Sequence, residues 1–243
     1  MAALHEGPVD DVTTETASLR VEGATVPAFH ARPDGMPTAG VVLHPDIGGV
    51  RPLFEDMARR IATHGLGVYA VEPFSQWSDE QRATLDARMA SVTTLDDTEQ
   101  IAKLEAGADR LIVEDDVSTV SVMGFCIGGY FTFKAAASDR FDRAVAFYGM
   151  LRTPEYWWGA GLRDPLDLAA DVCPTLAIFG SADAFTPPED IEALRNAWAN
   201  RPDCEIIVVE GAEHGFVHDP DRPAHRAEDA AKVWQRAIDW MTP

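Results

Sequence analysis

The chain has 243 residues, 46% of them apolar and 25% charged, which is enough length and apolar content for one large buried core. Its 40 acids against 20 bases leave a net charge of −20, and that balance repels both nucleic acid and anionic membrane surfaces. Three widely spaced cysteines, Cys126, Cys173 and Cys204, form neither a disulfide framework nor a CxxC zinc pair. The opening residues, MAALHEGPVDD, lack the basic and apolar regions of a secretory signal. No apolar run nears the ~20 residues of a membrane span. A reducing, cytoplasmic setting is the expectation.

Residues 1–15 carry no periodic pattern and are expected to be disordered, with residues 16–243 as a single domain. Ser18–Glu22 and Val26–Ala31 read as short strands around a turn at Gly23. Gly40–Leu43 is a buried strand ending at His44-Pro45. Leu53, Phe54, Met57 and Ile61 share one face of a helix that stops at Gly65. Leu66–Val71 is the next strand, and Ser75–Ala90 is polar and mixed. Leu95–Asp109 reads as a helix starting near Asp96 or Asp97, followed by a strand at Thr119–Met123 and a helix at Gly128–Ala137. Ala144–Tyr148 and Thr175–Phe179 are further strands, separated by an irregular stretch, Leu151–Asp171, that holds Tyr156, Trp157 and Trp158. Pro188–Asn200 is a helix with Ile191, Leu194 and Trp198 inward, and Ile206–Val209 is the last strand. A helix from Pro223 to Trp240 closes the chain, with Ala227, Ala231, Trp234 and Ile238 on its apolar face. Near-continuous apolar strands alternating with helices predict an α/β fold. Its mostly parallel sheet of about seven to eight strands is covered by helices on both faces. In such sheets a ligand lies beyond the carboxyl ends of the strands.

The residues just past those strand ends therefore carry the functional argument. Strand Thr119–Met123 runs into Gly124-Phe125-Cys126-Ile127-Gly128-Gly129. This is a nucleophile elbow with sulfur in place of a serine oxygen. Glycines two residues either side relieve a turn too tight for side chains, and Gly129 lets the helix start close to the sheet. At a helix N-terminus the backbone N–H groups and dipole favour a thiolate, and the Ile127 N–H would point at a developing oxyanion. The alternative for Cys126 is a buried structural thiol beside a glycine-rich turn, which is how Cys173 and Cys204 read. Asp183 follows the strand Thr175–Phe179, and His214 follows the strand Ile206–Val209. Nucleophile, acid, histidine is the chain order of a hydrolase triad. Taken singly, Asp183 could instead be an Asx-turn residue and His214 a surface histidine. His214 and His218 are four apart, but Gly215 disfavours a helix there and no third ligand is evident, so no metal is expected. His5, His30, His64 and His225 read as surface or locally bonded histidines. Neither a dinucleotide fingerprint nor a Walker A motif occurs.

These motifs identify a family resemblance. From about Thr16 to Met241 the chain resembles the dienelactone hydrolase family of α/β hydrolases. The elbow, Ala144-Val145-Ala146-Phe147-Tyr148-Gly149, Gly180-Ser181-Ala182-Asp183, Glu213-His214-Gly215-Phe216 and the loop His44-Pro45-Asp46-Ile47-Gly48-Gly49 carry the likeness. The resemblance implies an α/β-hydrolase fold, a Cys126–His214–Asp183 triad, no cofactor, and the Ile47 N–H as second oxyanion donor. The site is expected to hydrolyse a small-molecule ester or lactone through a thioester on Cys126, in a monomer or small homo-oligomer. Two positions depart from the family. Asp46 stands where a glutamate near the nucleophile is usual, which would change how the thiolate is gated. His218 stands where an arginine four residues after the histidine helps hold a substrate carboxylate. Arg82 or Arg88 would be the other substrate arginine, and Tyr156 and Trp157, with Trp158, either line an acyl pocket or pack on the core. The competing readings are a broad carboxylesterase or thioesterase, an idle ligand-binding member, and a redox-sensing thiol.

Overall fold

A computed structural model describes residues 1–158 and 161–243. Eight strands form one sheet: β1 (Val12–Val21), β2 (Ala24–Pro33), β3 (Ala39–His44), β4 (Leu66–Val71), β5 (Val120–Phe125), β6 (Arg143–Phe147), β7 (Thr175–Gly180) and β8 (Glu205–Val209). Their order across the sheet is β1-β2-β4-β3-β5-β6-β7-β8. β1 pairs antiparallel with β2, and β2 with β4, while β3 to β8 run parallel. This is the expected α/β-hydrolase architecture, and it sets β5 between β3 and β6 at the centre of the sheet.

Strand side chains alternate between two cores. Val41 and Leu43 of β3 join the cluster that receives α1 (Pro52–Ala62) and the closing helix, whereas Val42 points to the opposite cluster. The second cluster receives three helices, numbered in chain order after α2 (Asp79–Arg82) and α3 (Leu85–Ser91): α4 (Asp97–Glu114), α5 (Ile127–Ala135) and α6 (Pro188–Ala197). α5 is buried all round, so it shows no amphipathic stripe. α4 starts where Asp96 accepts hydrogen bonds from the Thr98 and Glu99 amides.

Four expectations need correction. β1 begins at Val12 rather than Ser18, because its polar, exposed first half pairs with β2 through a tight turn at Glu22-Gly23, both at positive φ. The N-terminal residues are not a free arm. Ala2 and Leu4 are buried, and the Arg60 guanidinium donates to the Ala3, Glu6 and Gly7 carbonyls. The polar stretch before α4 contains α2 and α3, each started by a side-chain cap, Ser78 with Gln81 and Thr84 respectively. The last helix, α7 (Ala227–Met241), buries Ala230, Val233, Trp234, Ala237, Ile238 and Met241, while Ala227 and Ala231 face out. Within the irregular stretch before β7, positions 159 and 160 lie outside the described residues.

One buried ion pair staples the antiparallel edge to α4. His30 on β2 is 3% exposed, with Nε2 at 3.0 Å from Asp115 Oδ2 and Nδ1 at 3.2 Å from Glu15 Oε1. Its ring stacks on Tyr69. With a carboxylate at each nitrogen the ring must carry both protons. Burial works against that charge, yet Asp115 and Glu15 hold the His30 pKa above its ordinary value. A folded-state pKa raised above the unfolded value of about 6.5 gives stability that is full below that value. It is lost as pH rises through the folded pKa. The wild-type Tm should therefore fall between pH 6 and pH 9 relative to His30→Gln, whose Tm difference from wild type shrinks as pH rises. A Tm gap that stays constant across this range would refute the charged staple.

Candidate active site

The six parallel strands deliver their following loops to one edge of the sheet. β5 ends in Cys126, the N-cap of α5, at φ +59° and ψ −119°. A non-glycine residue holds such a conformation only where its surroundings impose it. Here they do. A Cβ on Gly124 would come within 2.3 Å of the Gly128 carbonyl oxygen, and one on Gly128 within 2.5 Å of the His44 and Pro45 carbonyls. The turn can close only with glycine at both places, which leaves Cys126 half-buried at the helix start, in the wall of the cavity. Ile127 is the first residue of α5, so its N–H has no acceptor within the helix. The neighbouring strand ends in a second strained residue, Tyr148, at φ +39°.

Asp183 follows β7 with its carboxylate fully buried, and His214 follows β8. His214 Nδ1 lies 2.8 Å from Asp183 Oδ2. The other carboxylate oxygen, Oδ1, accepts the Phe185 N–H at 2.8 Å. Asp183 is thus both the turn residue and the histidine's partner, two readings that the sequence left as alternatives. His214 Nε2 is buried and makes no formed hydrogen bond, and the group acting on the ring is the Cys126 sulfur. Burial disfavours a charged ring. Interaction with Cys126, then with Asp183, outweighs it and pushes the His214 pKa up to about 10. The arrangement is an imidazolium facing sulfur on one side and a carboxylate on the other. The other two thiols lack this setting. Burial pushes Cys173 up to about 12 and raises Cys204 as well.

Cys126 and His214 open into a cavity of about 620 Å³. Asp46, Ile47, Ile127, Arg82, Tyr156 and Trp157 are all in its wall. Trp157 is nearly fully buried and packs edge-on against Tyr130, so it serves the core and the wall together, while Trp158 turns outward. Arg82 spends its guanidinium on the Trp77 carbonyl. Arg88 donates to the Arg82 and Ile47 carbonyls, which braces the loop that bears Ile47.

The two departures from the family pattern find a shared explanation. Asp46 does not turn its carboxylate to the sulfur. Oδ1 accepts from the Gly48 N–H at 2.8 Å and Arg51 Nη1 at 2.6 Å, and Oδ2 from Arg51 Nη2 at 3.0 Å and His218 Nε2 at 2.8 Å. Burial opposes ionisation, but His218 and Arg51 hold this carboxyl well below the usual carboxylate range. A carboxylate so occupied has no free lone pair for a thiol proton, and the gating expectation is corrected accordingly. His218 is fully buried behind the cavity and is not part of its wall, so it does not contact substrate. Burial lowers its pKa, and the neutral ring donates from Nε2 to Asp46 and accepts at Nδ1 from the Tyr148 hydroxyl. His214 and His218 thus face different carboxylates. Among the described residues no group of three or more His, Cys, Asp or Glu could hold a metal ion, and no helix is long and apolar enough to cross a membrane.

Sequence reasoning missed Phe185, Arg51 and Arg222, all in the cavity wall. Phe185 lies two residues after Asp183 and meets the His214 ring edge-to-face, with centroids 4.8 Å apart. Arg222 could have been suspected as the next cation after His214. Its guanidinium sits so close to Gly215 that a Cβ there would come within 2.7 Å of it.

Comparison with known proteins agrees with this fold. The sequence profile of the dienelactone hydrolase family matches residues 26–243. A protein of Escherichia coli (strain K12), provisionally named a carboxymethylenebutenolidase, is 32% identical over 99% of this chain and 90% of its own. The carboxymethylenebutenolidase of Rhodococcus opacus is 28% identical over 89% of this chain and 85% of its own. A crystal structure from Klebsiella pneumoniae, provisionally named a dienelactone hydrolase, superposes with a TM-score of 0.87 at 29% identity, covering 95% of this chain and 98% of that one.

Proposed function

The chain belongs to the dienelactone hydrolase family, and on that premise we propose that it hydrolyses a small-molecule ester or lactone through a thioester on Cys126, without a cofactor. The observation that carries this reading is His214 held between the Asp183 carboxylate and the Cys126 sulfur at the wall of an open cavity. The thiolate attacks the substrate carbonyl carbon. The N–H groups of Ile127 and Ile47 take the oxyanion, each donor typically worth about 3 kcal/mol. His214 gives its Nε2 proton to the departing alkoxide, leaving an acyl thioester. The neutral ring then removes a proton from water, hydroxide attacks the thioester, and the thiolate leaves with His214 again protonated.

The size and rim of the cavity favour a second reading of the substrate, a broad carboxylesterase. Leu85, Tyr156 and Phe185 remain 62%, 54% and 46% exposed while lining the mouth. The fold gains nothing from large apolar groups left in water, whereas an apolar substrate would cover them. Phe185 beside His214 marks the side where the leaving group is protonated. An anionic group on the substrate would meet Arg222 instead of His218.

The test is a panel of aryl acetates, alkyl acetates and a dienelactone, with intact-mass analysis of quenched enzyme. Turnover, together with an acyl mass on the peptide bearing Cys126, is the expected result. Aryl acetates outrunning alkyl acetates beyond the difference in leaving-group reactivity selects the carboxylesterase, and lactone preference selects the narrower activity. No turnover on any member would overturn the hydrolytic reading.

A further inference from the structure

Behind the cavity, a hydrogen-bonded chain joins residues that no step above uses. Arg51 grips the Asp46 carboxylate with two nitrogens, Asp46 accepts from His218 Nε2, and His218 Nδ1 lies 2.5 Å from the Tyr148 hydroxyl. The His218 ring is fully buried, with the Phe54 and Phe125 rings against it at 5.9 Å and 5.4 Å. Asp46 immediately precedes Ile47. His218 lies one short loop past His214. Tyr148 packs its ring edge-on against His214 with centroids 5.2 Å apart. The chain therefore ties together the loop after β3, the end of β6 and the loop after β8.

From this we infer that His218 is a positioning residue, which holds the loop bearing the Ile47 N–H in register with the loop bearing His214. The chemistry of the side chain fits the task. Asp46 as a carboxylate can only accept, so Nε2 must donate, and Nδ1 of the neutral ring is left to accept from the phenol. An arginine could not accept from Tyr148, and an apolar residue could do neither. A buried carboxylate and a buried phenol would each lose a partner. The inference rests on the reading of Ile47 and His214 as parts of one catalytic centre.

The experiment compares wild type, His218→Leu, His218→Gln and Tyr148→Phe. Three readouts are taken: ester kinetics, alkylation of Cys126 by iodoacetamide, and the imidazole 15N shifts of His218. Alkylation is a displacement at saturated carbon and builds no oxyanion, so it is blind to the Ile47 loop. His218→Leu should lower kcat by about 10- to 100-fold, the scale of a misplacement near 1 Å, with KM and the alkylation rate within about threefold of wild type. His218→Gln, whose amide can both donate and accept, should recover most of the loss, and Tyr148→Phe should lower kcat less than the leucine variant. Wild-type kcat in His218→Leu would overturn the inference, as would an alkylation rate that falls in proportion to kcat. If His218→Leu does not fold, the Gln and Phe variants decide by the same comparison. If wild type itself turns over no ester, the functional reading fails, and the 15N shifts decide the His218 assignment. A neutral Nε2–H ring supports it, and a charged ring or the other tautomer overturns it.

Discussion

Cys126→Ala should abolish ester turnover, with a loss of at least about 10⁴-fold in kcat/KM. No other group can take over the attack. Cys173 and Cys204 lie at the far ends of β7 and β8, away from the cavity, with their thiols held protonated by burial. Water activated by His214 alone would have no group at the elbow on which to form the acyl intermediate. The variant carries a second signature. Because Cys126 is the foremost influence raising His214, its removal should bring the imidazole pKa down from about 10 toward the neutral range. Ester kinetics and histidine NMR on the same preparation check both. Turnover at the wild-type rate in a contaminant-free sample would remove Cys126 from the mechanism. A rate lost while the His214 pKa stays put would mean that the sulfur carries no charge at rest.

Much of this centre was legible because each part leaves a local mark. The parallel strands are apolar on both faces, and the elbow carries glycines two residues either side of the thiol. The acid and the histidine follow strands directly, where a parallel sheet must expose them. What stayed hidden depends on contacts distant in sequence. The first half of β1 is an edge strand of polar, exposed residues, with no apolar alternation to read. The caps of α2 and α3 are local, but a helix of four or seven residues has too few positions for periodicity. On α7 a face through Ala227 and Ala231 competes with one through Ala230 and Val233, since alanine marks either side equally, and only packing against the sheet at β6 and β7 decides. The place of His218 is hidden for the same kind of reason. Its partners Asp46 and Tyr148 stand 172 and 70 residues away. The position therefore resembled a substrate contact until the fold turned it inward.

The role of Asp183 can be separated from its structural duty because the two use different oxygens. Asp183→Asn keeps an amide oxygen that can accept the Phe185 N–H, so the turn and the Phe185 ring should hold their places. It replaces the acceptor at Oδ2 with an NH₂ or forces the histidine to present an unprotonated Nδ1. In the second case Nε2 carries the ring's only proton toward the sulfur and can no longer act as a base. The expected cost is about 10³- to 10⁴-fold in kcat, with KM within a few-fold and Tm little changed. His214 should also titrate below its present value, since Asp183 contributes to holding it up, and iodoacetamide should label Cys126 more slowly near pH 7 as the imidazolium beside it is lost. Steady-state kinetics, thermal melts and labelling rates together make the test. A kcat within about threefold of wild type would mean that His214 is oriented by its packing against Tyr148 and Phe185 alone. The Asp183 hydrogen bond would then be a consequence of the loop's shape, with the turn at Phe185 as the reason an acid stands there.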